Sequence, residues 1–262
     1  MAWTMVSCAD CGATMRRLGS PSPTALCAMC VDDGGAAMRE SVHRASSARL
    51  EQRLGRFDGA GGFDGAELPA HPEKRWEKLA ATAVAEHLRR LADAQPGRTG
   101  LVFIGPTGIG KTRAAIAMTR AVAAVEPAGV AAMTESDLLS PSVAPWELPT
   151  HVAQLLSNRH TIMIDEVGSV SRPADQIMAG WRTVVEYVHA SPLPVLFIAT
   201  TNRQSWSESG GLGEWMGAQS VSRLRECCEM ATTGWTDHRI NRDHLDWKNA
   251  LLAGGRRGGD GA

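Results

Sequence analysis

The run Gly105-Pro106-Thr107-Gly108-Ile109-Gly110-Lys111-Thr112 narrows what this chain can fold into more than any other stretch. It has the GxxxxGK[ST] spacing of a P-loop, and its flanks suit that motif. The apolar run Leu101–Ile104 before it predicts a strand, and Lys111–Val125 after it predicts a helix. A triphosphate is a dense polyanion, so a loop that holds it needs many convergent donors. Glycines at 105, 108 and 110 let the backbone turn its N–H groups inward. The positive end of the following helix dipole adds to the attraction. Lys111 would reach the β- and γ-phosphates, and the Thr112 hydroxyl would ligate Mg²⁺.

A second strand predicted at Thr161–Glu166 is apolar until it ends in Asp165-Glu166. In a P-loop protein this is the Walker B pattern. Asp165 would hold the Mg²⁺ shell and Glu166 would polarise an attacking water. A third buried run, Val195–Thr201, ends at Asn202. Asn202 either orients the water near the γ-phosphate or simply caps a turn.

Four cysteines fall as Cys8-x2-Cys11 and Cys27-x2-Cys30, with fifteen residues between the pairs. This is four-cysteine zinc spacing, in which each CxxC turn offers two thiolates to one Zn²⁺. A hairpin is expected here from Ala13–Leu18 and Thr24–Leu26 around Ser20–Pro23. Residues 1–33 are too few to fold on an apolar core alone, so a metal staple is expected. A redox role for either CxxC is the rival reading. Cys227 and Cys228 are expected in a last strand, as small core residues.

Net charge is −1 and hydrophobic content 44%, which gives a real core and no global field toward nucleic acid or a membrane. No apolar run approaches the ~20 residues that span a bilayer, and no signal peptide opens the chain. A soluble cytoplasmic protein with no membrane partner is therefore expected. The clearly basic stretch is 34–56, with five arginines against two glutamates. It reads equally as a solvated linker helix or as a contact for nucleic acid or a partner.

Between these landmarks, an amphipathic helix is predicted from Pro72 to about Asp93, with His87 packed on its apolar side. A short strand follows at Val130–Met133, with a short helix at Glu135–Leu139. Further helices are predicted at His151–Asn158, Ala174–His189 and Glu214–Arg225, and a last strand at Cys228–Thr233. The expected division is a zinc module (1–35), a basic helical linker (36–56), an ATPase domain (57–250) and a disordered tail (251–262).

The runs GPTGIGKT, IMIDE and ATTN, with Ser222-Arg223-Leu224 and Asp237-His238-Arg239, resemble the DnaC/IstB-type AAA+ ATPases over roughly residues 57–245. These are helicase loaders and transposition helper ATPases. The resemblance implies an α/β P-loop NTPase of the AAA+/ASCE class, with a parallel sheet and no separate helical lid. It makes Lys111 and Thr112 Walker A, Asp165 and Glu166 Walker B and Asn202 sensor 1. Arg223 becomes the arginine finger, with Arg225 as the fallback, and Arg239 a sensor-2-like arginine. His238 stands where the family has Tyr. A finger acts on a neighbour's ATP, so self-assembly is implied. The expected partners are a replicative DNA helicase and single-stranded DNA, or alternatively a transposase. The cysteine module lies outside the resemblance, although zinc-bearing N-terminal domains occur among loaders.

Overall fold

The computed structural model describes residues 3–7, 14–18, 35–57, 66–203, 205–207 and 209–233. Cys8, Cys11, Cys27, Cys30, Arg239 and the tail from 251 onward lie outside the described residues.

Strands β1 (Trp3–Ser7) and β2 (Thr14–Leu18) pair antiparallel, from Trp3 opposite Leu18 to Ser7 opposite Thr14. Residues 14–18 form a strand, as expected, and it pairs here with a segment that precedes the first cysteine pair; Trp-Thr-Met-Val-Ser is aromatic, β-branched and free of proline, which suits a strand. The expected partner at Thr24–Leu26 lies outside the described residues. Cys8 and Cys11 thus fall in the connection 8–13 between the paired residues Ser7 and Thr14.

The remaining strands are β3 (Arg98–Ile104), β4 (Val130–Thr134), β5 (Thr161–Val167), β6 (Val195–Thr201) and β7 (Cys228–Ala231). They form one parallel sheet in the order β4-β5-β6-β3-β7. Alternation along each strand feeds two cores. Val102, Met133, Ile162, Ile164 and Phe197 face one layer, while Leu101, Phe103, Ala132, Met163 and Ile198 face the other.

Helices α1 (Gly35–Leu54), α2 (Arg75–Ala92) and α3 (Lys111–Ala123) supply the second layer. The first is built by α4 (Glu135–Leu138), α5 (Leu148–Leu156), α6 (Ala174–Ala190), α7 (Leu212–Met216) and α8 (Ala218–Arg225). Along α1, residues 40–45 are exposed, but Leu50 and Leu54 are buried in the core beside α3. Glu51 also pairs with Arg120 of α3 at 2.7 Å.

Two expectations change in detail. The single helix expected over Glu214–Arg225 is two helices. Gly217 divides them at φ +86°, a backbone state that costs glycine little. Cys227 precedes β7, whereas Cys228 lies in it and is buried. A Cβ at Gly100 would stand 2.3 Å from the Cys228 sulfur, so the β3–β7 contact requires glycine there.

Candidate nucleotide site

The chain leaves β3 at Ile104 and enters α3 at Lys111. The connecting loop is possible because Gly105, Gly108 and Gly110 take φ of +128°, +86° and +90°. Side chains rarely adopt such values, and a Cβ on Gly105 would also lie 2.5 Å from the Ile109 methyl. Amide groups at the start of the thirteen-residue α3 have no intrahelical acceptor, which makes this end a natural seat for phosphate.

Lys111 is largely buried. Its ammonium donates to the carbonyls of Gly105 (2.8 Å) and Pro106 (2.7 Å) and to Asn202 Oδ1 (2.9 Å). Strand β6 lies between β3 and β5, so Asn202, one residue past its end, falls between the P-loop and Asp165.

Asp165 is also buried, and Thr112 Oγ1 donates to its Oδ1 at 3.0 Å. Thr200 donates to the same oxygen. Burial pushes the Asp165 carboxyl above its ordinary range, partly offset by these two hydroxyls. A hydroxyl and a carboxylate oxygen side by side are the hard ligands Mg²⁺ prefers, and a cation there would relieve the buried charge. The donor set therefore fits magnesium.

Next to it, Glu166 points the other way. The β5–β6 register passes from Ile164 opposite Ala199 to Val167 opposite Thr201, so β5 carries one extra residue. Glu166 sits in that bulge at φ +60°, exposed, with its N–H on Thr200 Oγ1 at 3.0 Å. A non-glycine residue in this region costs on the order of 1 kcal/mol or more and needs its surroundings to hold it. The bulge thus buries one carboxylate of the Asp-Glu pair and presents the other to solvent.

Arg223 is elsewhere. It lies in the last turn of α8, and its carbonyl accepts from His189 Nε2 at 3.0 Å. Arg98, the first residue of β3, donates to His189 Nδ1 and to its carbonyl, both at 2.9 Å. Arg223 is therefore at the strand-start edge of the sheet, opposite its own P-loop. Among the described residues, no carboxylate lies within ion-pair distance of the Arg223 or Arg225 guanidinium; Arg225 is exposed and Arg223 half-buried.

The core is a five-stranded parallel sheet with a P-loop between β3 and α3. No protein-family profile matches the chain. Solved structures similar to it include the DnaC helicase loader, at 20% identity over 66% of this chain and 99% of that one, with a TM-score of 0.43. DnaI matches at 16% identity over 62% and 87%, TM-score 0.42. AMPPCP-bound DnaA from Aquifex aeolicus matches at 16% identity over 69% of this chain and 55% of that one, TM-score 0.46.

Sequence reasoning missed three site residues. Thr200 ties Asp165 to the Glu166 backbone, and Thr201 Oγ1 donates to the Val167 carbonyl at 2.7 Å. Both stand out as hydroxyls at the end of an otherwise apolar strand. Glu135 is fully buried just beyond β4 and carries no motif signal. Among the described residues, no cluster of three or more His, Cys, Asp or Glu side chains is placed to hold a metal ion. No described helix is long and apolar enough to cross a membrane.

Proposed function

We propose that this chain is a Mg²⁺-dependent ATPase that works as a DnaC-type loader, delivering a hexameric replicative helicase to single-stranded DNA. The observation behind the ATPase reading is the convergence of Lys111, Thr112, Asp165, Glu166 and Asn202 on one edge of the sheet. The loop amides and Lys111 would bind the β- and γ-phosphates. Thr112 and Asp165 would hold magnesium, which supplies charge neutralisation when bound. Glu166, exposed and turned out of the strand, would take the proton of the attacking water, and Asn202 would orient that water.

Arg223 serves a neighbouring subunit in this reading. Its place across the sheet from its own P-loop supports that role, because an arginine there can reach only another chain's phosphates. Guanidinium is always charged and planar, which suits a charge-dispersing contact to the γ-phosphate. Arg225 is the alternative finger, and Arg239 a further arginine on the nucleotide. ATP would then favour an assembly that grips helicase and DNA, and hydrolysis would release it.

The loader identity rests on the motif resemblance, and the similarity to the DnaC helicase loader agrees with it. Capture of the full chain from its host, with and without a non-hydrolysable ATP analogue, tests this directly. Co-purification of the replicative helicase supports the loader, and a transposase in its place makes the chain a transposition helper.

We further propose one Zn²⁺ on Cys8, Cys11, Cys27 and Cys30. The pairing of Ser7 with Thr14 supports it, because it confines the first CxxC to one short connection. Elemental analysis of the full chain should give one zinc per chain; four free thiols and no zinc would remove the module.

A further inference from the structure

The geometry points to a role for Glu135 that no motif assigns: we infer that it is a positioning residue for Glu166, locking the loop after Glu166 to helix α7. Glu135 is the first residue of α4 and has no solvent exposure. An isolated carboxylate so placed is strongly disfavoured, and this one is satisfied entirely by N–H groups. Its Oε2 accepts from three consecutive backbone amides, Gly168 (2.9 Å), Ser169 (3.1 Å) and Val170 (3.2 Å). Its Oε1 accepts from two indoles, Trp181 of α6 (2.8 Å) and Trp215 of α7 (2.7 Å).

Successive amides converging on one anion form a nest, a concave backbone shape that the anion stabilises. The nest starts two residues after Glu166. Gly168 enters it at φ +98°, and the Ser169 amide also donates to the Glu166 carbonyl at 3.2 Å. The left-handed turn at Glu166 is thus closed by the same residues that bind Glu135. Without the carboxylate, the Gly168 and Val170 amides lose their acceptor and Ser169 keeps only the Glu166 carbonyl, so the bulge is freer to relax.

The other oxygen extends the lock. Trp215 is held from beneath by Glu135 and from above by Arg203, whose guanidinium lies 4.7 Å from the ring centroid. Arg203 follows Asn202 and packs over Gly168, where an added Cβ would meet its Nε at 2.9 Å. Helix α7 leads through Gly217 into α8, which carries Arg223. One buried carboxylate therefore joins the loop after Glu166, the residue after Asn202 and the helix pair leading to Arg223. The inference rests on the reading of Glu166 as the water-activating base.

The test compares Glu135→Gln, Glu166→Gln, the double variant and Trp215→Phe in the full chain. Two quantities are measured, the Kd for a fluorescent non-hydrolysable ATP analogue and kcat at saturating ATP. A glutamine fills the same space but cannot accept from both the nest and the indoles. Glu135→Gln should keep Kd within about threefold of the parent while kcat falls about tenfold or more. The double variant should be no slower than Glu166→Gln, because Glu135 acts through that residue. Trp215→Phe should lose roughly threefold in kcat with Kd unmoved, and nothing further on the Glu166→Gln background. Should Glu135→Gln fail to fold, Trp215→Phe decides: parental kcat overturns the role. Losses that multiply in the double variant, or Kd moving with kcat, would mean plain structural support and overturn it too. A slow Glu166→Gln beside a parental Glu135→Gln removes the positioning role alone. Parental turnover in Glu166→Gln removes the reading of Glu166 and this inference together.

Discussion

The two edges of the parallel sheet handle buried titratable groups in opposite ways. At the edge where the strands end, Lys111 has three oxygen acceptors, Asp165 has two hydroxyl donors and Glu135 has five N–H donors. At the edge where the strands begin, His87 and His160 lie buried, with ring nitrogens 3.3 Å apart. Among the described residues, His87 Nδ1 and His160 Nε2 have no hydrogen-bond partner. Burial pushes His87 down to about 3, helped by the charge of His160 and Arg90, and His160 down to about 4, helped by Arg159. One edge surrounds its buried polar groups with hydrogen bonds; the other keeps its imidazoles neutral. The first arrangement suits chemistry on a charged ligand and the second suits packing, so the same sheet separates function from stability.

The largest expected effect breaks the functional edge without touching the other. Lys111→Ala should weaken ATP binding about a hundredfold or more, because the point charge facing the β- and γ-phosphates is gone. Its melting temperature should stay near the parent's, since Lys111 donates to loop carbonyls and to Asn202 at the strand ends and not to the apolar core. Equilibrium nucleotide binding beside thermal melting checks both halves.

Acid should break the other edge. The two histidines titrate near their ordinary 6.5 when unfolded and near about 3 and about 4 when folded. The unfolded chain therefore binds more protons below pH 6.5. Stability is fully present above that pH and drains away as pH falls through about 4 and then about 3. At pH 5 the loss is on the order of 2 kcal/mol per ring. Denaturant unfolding from pH 7.5 to 5 should show this slope, and His87→Leu should flatten it; an unchanged slope contradicts the neutral-pair account.

The smallest effect belongs to neither edge. The Arg120–Glu51 pair fastens α1 to α3, but Glu51 is half exposed, so Glu51→Gln should cost less than about 1 kcal/mol and less still in high salt. Leu54, buried in the core on which α1 packs, carries far more of the attachment of α1: Leu54→Ala should cost about 2–4 kcal/mol by urea unfolding.

Strands β3, β5 and β6 were legible because each is an apolar run closed by a glycine or by polar residues. Lys111, Thr112, Asp165 and Asn202 were expected together from motif spacing, and the structure brings Lys111 to Asn202 and Thr112 to Asp165. The break at Gly217 was not, since one glycine inside a helical pattern is equally a tolerated residue. Nor was the β1–β2 pairing, because nothing in the short run 3–7 marks which segment it pairs with. Glu135 had no signal at all. Its partners are 33 to 80 residues away, and a single glutamate after a strand has no period to betray burial. Glu166 was placed by its motif, but the bulge that turns it outward depends on the register against β6.

The central claim is that an ATP site complete in its own P-loop is finished by an arginine from another subunit. Mixing Lys111→Ala with Arg223→Ala, under conditions that gather subunits on single-stranded DNA or helicase, measures it most directly. Each variant alone should be inactive. The mixture should recover a substantial part of the parent ATPase rate, from interfaces that pair the intact P-loop of one chain with the intact Arg223 of the other. Full stimulated activity in Arg223→Ala, with Arg225→Ala rescued by mixing, would move the finger to Arg225. Full activity in both arginine variants at every protein concentration would contradict the account.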